Sequence, residues 1–300
     1  MKNISISGKT YDRIFDLIVY TFMFLISFIT LYPFWSCLVG SLNEGLDFIK
    51  GGVFFYPRKF TLENYVQVLR DKRIISAYGV TVSRTIITTI SHLLFTSIFA
   101  YAYSRRILKG KRLYMVFCLI PMYFGGGLIP VYILYKQLNL LNNFTVYVIP
   151  ALLSFWNAII LRTFFKDNSI DAITECAMVD GANEYMIYWK IVMPLAKPIL
   201  AAIALFVGVG QWNSYYDTMM FTTVKELKTI QVFLMDVIRE QQRAASMVSE
   251  AVKDDLGKSI INIETIKRAT MMVATLPILI LYPFLQKYFV KGVMIGSLKG

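Results

Sequence analysis

Long uncharged apolar runs alternate along this chain with short polar clusters. A helix needs about 20 mostly apolar residues to cross a bilayer core. Six runs approach that length: Leu17–Asn43, about Val80–Tyr103 with Arg84 near one end, Leu113–Tyr135, Leu138–Leu161, about Pro198–Tyr216, and Ala269–Gln286. The last two are the shortest. The runs are continuous rather than alternating, which disfavours barrel strands. The pattern predicts an all-α integral membrane protein with six transmembrane helices. The first run is too long for the apolar stretch of a signal peptide and lacks a small-residue cleavage site, so it reads as a span.

Composition narrows the class further. Of 300 residues, 56% are hydrophobic and only 17% charged, whereas soluble domains carry about 25% charged residues. A soluble enzyme, a disordered chain and a disulfide scaffold are all poor fits. The net charge of +12 leaves two explanations, nucleic acid or the cytoplasmic loops of a membrane protein. Its placement decides. Arg105, Arg106, Lys109, Lys111 and Arg112 crowd one short loop that has no acid, and such loops stay in the cytoplasm. Alternation then puts both termini inside, in agreement with Lys2, Lys9 and Arg13 at one end and Lys287, Lys291 and Lys299 at the other. The loop after the fifth span falls outside, and from Lys225 to Lys267 it balances seven basic against seven acidic residues. The expected organisation is a cytoplasmic tail over 1–13 and one membrane domain over 14–300. Within that domain lie a cytoplasmic loop at about 166–195 and an external loop at about 219–267. No basic stripe on a soluble fold remains to suggest nucleic acid.

The loop between spans four and five differs from the others. Asn168 or Ser169 can cap a helix whose first turn holds Asp171. Ala172, Cys176 and Val179 share a face of small or apolar residues. Gly181 can end this helix in the left-handed conformation. A second helix follows, with Tyr185, Tyr188, Trp189 and Val192 as an apolar stripe, and Pro194 and Pro198 punctuate the entry to span five. The plain reading is a surface hairpin linking two spans. The sharper one is a docking lever, whose small residues let a partner approach while the stripe ties it to the membrane helices.

Glu175-Cys176-Ala177, then Gly181, then Ile191-Val192-Met193-Pro194 resembles the EAA loop of ABC-importer permeases, with Cys176 in place of Ala and Met193 in place of Leu. Asp180-Gly181-Ala182 is similar to its sugar-importing branch. Phe60–Tyr65, Tyr123–Pro130, Gly210–Asn213 and Tyr282–Phe289 extend the likeness to complex-oligosaccharide permeases of the LplC and YtcP type, in the MalG-like group. The resemblance implies the type I importer (MetI-like) fold in a bacterial cytoplasmic membrane. It implies a second permease subunit, two cytoplasmic ATPases that bind ATP and Mg, an external sugar-binding protein and an oligosaccharide substrate. It also makes Glu175, Cys176, Ala177, Asp180, Gly181, Ala182 and Asn183 the ATPase-coupling residues.

Independently of that likeness, the chain has no Gly-x-x-x-x-Gly-Lys-Ser/Thr phosphate loop, so ATP chemistry must come from a partner. No catalytic residue, cofactor site or metal site is expected in it. His92, the only histidine, has no cluster of potential ligands beside it and should make an interior hydrogen bond. Cys37, Cys118 and Cys176 do not read as a disulfide framework. Aromatic and hydrogen-bonding side chains suited to a sugar path occur at Trp156-Asn157 and at Trp212, Asn213, Tyr215, Tyr216 and Asp217, although most aromatics in membrane helices serve packing or interface roles. Gly125-Gly126-Gly127 either unwinds span three beside a cavity or lets helices pack closely. Three other functions compete. A stand-alone secondary transporter would show inverted repeats and paired intramembrane acids. A membrane enzyme would need a nucleophile–base pair or clustered acids. An importer permease for a non-sugar substrate would lack the Asp180-Gly181-Ala182 core.

Overall fold

The computed structural model describes residues 5–166, 168–248 and 264–280. Its contacts divide the chain into two compact units, Met1–Asp71 with Asp236–Thr275 and Lys72–Met235 with Leu276–Gly300. The described residues are helical, apart from loops and one isolated antiparallel bridge between Asn43 and Phe60.

The first unit is led by α1 (Ser5–Ser41), followed by α2 (Gly45–Ile49) and α3 (Glu63–Arg70). Nearly every large apolar side chain of α1 from Ile14 to Leu31 is exposed, a surface that only a bilayer or another apolar partner solvates well. Its far end is tied down by polar contacts. Buried Asn64, within the Phe60–Tyr65 segment, donates to Ser41 O (2.9 Å) and Asn43 O (3.0 Å) and accepts from Thr265 Oγ1 (3.0 Å). Arg58 pairs with Asp47 at 3.1 Å. The Asn43 amide and that guanidinium hold the Asp47 carboxyl below its usual range.

The second unit is organised on α4 (Lys72–Ser104), whose 33 residues span about 50 Å at 1.5 Å per residue. Then come α5 (Lys111–Tyr123), α6 (Leu128–Gln137), α7 (Thr145–Val148) with a following 3₁₀ turn (Ile149–Ala151), and α8 (Phe155–Phe165). The loop helices α9 (Asn168–Val179), α10 (Glu184–Ile187) and α11 (Met193–Leu195) precede α12 (Lys197–Asn213), α13 (Tyr216–Phe221) and α14 (Ile230–Val248), the last of which begins in this unit. α4 packs most extensively on α12 and α8.

Among the described residues two helices, Asp12–Ser41 and Lys72–Ser104, are long and apolar enough to cross a membrane unaided, and the total there reaches five if each bent pair is one span. The apolar runs coincide with helical regions, but two of them are bent and a third follows a bend. The run Leu113–Tyr135 bends by 116° between α5 and α6. The break falls on Gly125–Gly127, where Gly127 has φ +83°, so the glycines unwind the helix. The run Leu138–Leu161 starts as a loop and bends by 47° before α8, and α12 bends by 76° from the helix before it. The sixth run begins within a helix described over 264–280. Its end, with Tyr282–Phe289 and the C-terminal lysines, lies outside the described residues, as does Lys2.

Unwound backbone at membrane depth must find hydrogen bonds within the protein. α4 provides them through a buried polar stripe spaced by three or four residues: Thr81, Arg84, Thr88, His92 and Thr96. Thr88 donates to Tyr147 O (3.3 Å) and Thr96 to Leu152 O (3.3 Å), while His92 Nδ1 lies 2.6 Å from Ala151 O. A carbonyl only accepts, so Nδ1 carries the proton. Nε2 then accepts from Asn157 Nδ2 at 2.9 Å. The interior hydrogen bond expected of His92 is present, and it helps hold the bent α7–α8 segment.

Candidate functional site

The cytoplasmic-type loop folds as two helices with a sharp corner. Asp171 lies in the first turn of α9, close to its positive dipole end. At the other end Gly181 has φ +84°, Ala182 N donates to Ala177 O (2.9 Å), and Gly181 N donates to Met178 O (3.0 Å). This pair of bonds is the Schellman closure, which requires a left-handed residue at the corner. Asn183 then caps α10, accepting from Met186 N at 2.8 Å, as short polar residues do at helix starts. Gly181 and Asn183 are thus needed locally to reverse the chain within a few residues.

The loop has a buried side and an exposed side. Ile170, Thr174, Ile187, Tyr188 and Val192 are buried, and the apolar ones join a core with Ala100, Tyr101, Leu161 and Phe165. Tyr188 OH meets Ser97 Oγ at 2.8 Å. Burial pushes its phenol above the usual value, against the opposing effect of that hydrogen bond. The expected stripe is corrected here. Tyr188 and Val192 do face the core, but Tyr185 and Trp189 are exposed and meet each other edge-on with centroids 6.3 Å apart. The buried face starts at Ile187, next to Tyr188, in place of Tyr185, and a π-turn over Tyr188–Val192 widens the spacing beyond it.

Of the proposed coupling residues, Glu175, Cys176, Asp180, Gly181 and Asn183 are exposed, while Ala177 and Ala182 are half-buried beneath the corner. Ala172, Ile173, Val179 and Tyr185 extend the exposed face, and Val179 is 88% exposed.

A strap that the sequence did not reveal fixes this loop to the end of α4. Arg105 donates to Glu184 Oε1 (2.9 and 3.1 Å), to Thr174 Oγ1 (3.2 Å) and to Met178 Sδ (3.3 Å). Tyr101 OH donates to the other oxygen of Glu184, and the guanidinium lies over the Tyr101 ring at 5.5 Å. One arginine thus grips both helices of the loop. The signal was available as basic residues in one loop facing acids in another, but 79 residues separate Arg105 from Glu184. The neighbouring Arg106 reaches Glu175 and Asp171 only at 3.7 and 3.8 Å.

The proposed sugar-path residues do not form one group. Trp156 is exposed, and Asn157 has its amide on His92. Trp212 is buried, edge-on to Tyr78 at 6.1 Å. Asn213 accepts from Gln231 at 3.5 Å. Tyr215 and Tyr216 are exposed, and Tyr216 and Asp217 line a cavity with Gly125–Gly127, whereas Tyr215 does not. Asp217 also forms an ion pair with Arg84.

No family model matches the chain, but individual proteins do. It is 33% identical to LplC of Bacillus subtilis (strain 168) over 96% of each chain. The chain belongs to the carbohydrate-importer permeases of the ABC-transporter superfamily. It is also 32% identical to the polygalacturonan/rhamnogalacturonan transport system permease protein YtcP of the same organism, over 96% of this chain and 99% of that one. A solved bacterial ABC transporter involved in import of the acidic polysaccharide alginate contains a chain that superposes with TM-score 0.82 at 30% identity, covering 93% and 98% of the two chains. Permeases of this family are integral membrane subunits, and ATP hydrolysis belongs to their partner subunits. The stand-alone transporter finds no support among these relatives.

Proposed function

We propose that this permease forms half of the pathway for an oligosaccharide and receives the force of ATP hydrolysis through Glu175–Asn183. The observation that carries this reading is the loop itself: an exposed small and apolar face on one side, and on the other a buried face strapped by Arg105 to α4. A push on α9 by an ATPase therefore reaches α4, and through its packing α8 and α12. In this reading two cytoplasmic ATPases hold ATP and Mg and grip the loops of this chain and of a second permease, while an external binding protein delivers the glycan. The names of YtcP and of the alginate transporter support an oligosaccharide.

The topology proposed with it has six spans within 14–300 in a bacterial cytoplasmic membrane, with both termini and the loop at about 166–195 in the cytoplasm. Within the second unit, the basic loop after α4 contacts the coupling loop, while the segments around Asn142, Phe221 and Ile230 gather toward the start of α4. That segregation supports alternating sides. The test is purification with co-purifying subunits, followed by ATPase and uptake assays with the binding protein and a panel of oligosaccharides. An associated ATPase stimulated by one of the glycans is the expected result. Recovery of no ATPase, or transport without ATP, overturns the proposal.

A further inference from the structure

Three helices of the second unit meet beside the basic loop. α4 brings Tyr103, which is 6% exposed and stacks on Phe99 with centroids 6.0 Å apart. α5 begins at Lys111, whose carbonyl accepts from Tyr103 OH at 3.4 Å. α8 carries Arg162 in its last turn and Lys166 at its C-cap, and Lys166 N donates to Arg162 O at 3.0 Å. The Arg162 guanidinium lies over the Tyr103 ring at 4.7 Å. A buried aromatic platform thus positions a planar fork of donors.

The positive charge gathered here is unspent. Desolvation pulls the Lys111 ammonium below the ordinary lysine value, and the charges of Lys166, Arg162 and Arg106 lower it further. Arg162 and Lys166 complement the negative end of α8. Lys111 does the opposite: it stands in the first turn of α5, at a positive end with no side-chain cap and no acid. Arg162 Nε is buried and makes no hydrogen bond among the described residues, which costs free energy unless an acceptor is supplied. The acids described around the coupling loop are engaged with other arginines, Glu184 with Arg105 and Asp171 and Glu175 nearest Arg106.

The continuation of α5 selects the kind of anion. Leu113, Tyr114, Met115, Val116 and Phe117 are all exposed, and α5 buries no residue. Hydrocarbon solvates such a surface well and water does not. Cations at the head of an exposed apolar helix match an anionic amphiphile, and basic pockets between membrane helices hold lipid head groups in this way. Arginine suits a phosphate because its donors form a fork. We propose that Lys111, Arg162 and Lys166 hold the phosphate of an anionic phospholipid, such as phosphatidylglycerol, whose acyl chains lie along α5. The inference is independent of which glycan is carried.

The test uses the purified permease, with its co-purifying subunits, in nanodiscs doped with phosphatidylglycerol or phosphatidylcholine that carries a diazirine in one acyl chain. Crosslinks to Lys111–Tyr123 are measured by peptide mass spectrometry. Phosphatidylglycerol is expected to label α5 at least about fivefold more than phosphatidylcholine. Lys111→Gln/Lys166→Gln is expected to erase most of that preference. Arg162→Lys, which keeps the charge and loses the fork, is expected to reduce it severalfold. Lys109→Gln/Arg112→Gln removes the same charge from the same loop and is expected to keep the preference within about twofold, since screening weakens action at a distance. Excess inorganic phosphate is expected to leave labelling unchanged. Asp167, which follows Lys166 in the sequence, lies outside the described residues, so Asp167→Asn is included and is expected to change nothing. Five results overturn the proposal: no preference between the lipids or no labelling of α5, equal loss in the two double variants, displacement by inorganic phosphate, loss of co-purifying subunits from Lys111→Gln/Lys166→Gln with labelling kept, or a several-fold gain in Asp167→Asn. The third makes this a site for soluble anions, the fourth an acidic partner's docking face, and the fifth assigns the counter-ion to Asp167.

Discussion

Two arginines tie other segments to α4, Arg84 within its first half and Arg105 just past its last residue, and they do so in opposite environments. Arg84 is 0% exposed and pairs with Asp217, which is 24% exposed. Arg105 is 14% exposed and pairs with Glu184, which is 46% exposed. Both fasten a polar hairpin to the same helix. The first has each guanidinium nitrogen bonded to a protein acceptor inside the membrane-spanning part of the chain, whereas the second grips a loop whose outer face is exposed. A buried pair is costly to form and more costly to leave half-made, so it fixes a geometry. A half-exposed pair is held by about 1 kcal/mol or less, so it can loosen during a transport cycle. The difference suggests a stator at the cavity end of α4 and a clutch at the coupling end.

The sharpest way to break the comparison is to remove one member of the buried pair. Arg84→Met leaves Asp217 without its partner and Gln211 without its anchor. The expected loss is about 3–5 kcal/mol, the range for half-broken buried pairs, read as a fall in thermal midpoint and in yield of assembled complex. The double variant Arg84→Met/Asp217→Leu is expected to recover much of that loss. If the single variant is as stable as the parent, Arg84 is not a stator.

Next in size is the corner of the loop. Gly181→Pro cannot adopt φ +84° and lacks the N–H that bonds Met178 O. Glu175→Arg reverses a charge on the exposed face. Both are expected to reduce coupled uptake to background while the subunits still co-purify. Normal uptake in both would remove the loop from the mechanism.

How far these features were legible in the sequence follows from their range along the chain. The corner at Gly181 was readable because a glycine, a cap and an acidic first turn act within a few residues. The break at Gly125–Gly127 was visible too, although close helix packing was an equal reading until φ +83° at Gly127 settled it. The buried pair was not legible. Arg84 looked like a residue near a span end, and its acid lies 133 positions away. Only the spacing of Thr81, Arg84, Thr88, His92 and Thr96 on an apolar helix hinted at an inward polar stripe. The π-turn at Tyr188–Val192 was hidden for another reason: regular α spacing was assumed, and the buried face centres on Ile187 and Tyr188, leaving Tyr185 and Trp189 exposed.

The clutch is tested with a smaller perturbation. Arg105→Ala removes the bonds to Glu184, Thr174 and Met178, and Glu184→Gln removes the charge while keeping the shape. Each is expected to cost about 1 kcal/mol and to lower the uptake achieved per ATP hydrolysed while ATPase activity persists. Raising salt should reproduce part of the effect in the parent, because exposed pairs are screened. Exchange of the two charges, Arg105→Glu with Glu184→Arg, should restore part of the coupling. A parallel fall in ATPase and uptake would mean that the pair only supports folding.

The smallest expected effect belongs to the adjacent residue, and it tests whether geometry or mere charge matters at this end of α4. Arg106 carries the same guanidinium beside the same loop, yet it is 82% exposed and approaches Asp171 and Glu175 only at 3.8 and 3.7 Å. Such contacts are too long for direct hydrogen bonds, and ordinary surface substitutions stay within about 0.5 kcal/mol. Arg106→Ala is therefore expected to leave thermal stability and the uptake-to-ATPase ratio unchanged. If Arg106→Ala uncouples as strongly as Arg105→Ala, the coupling end responds to the summed positive charge of the basic loop, and the specific grip of Arg105 on α9 and α10 is not what transmits the stroke.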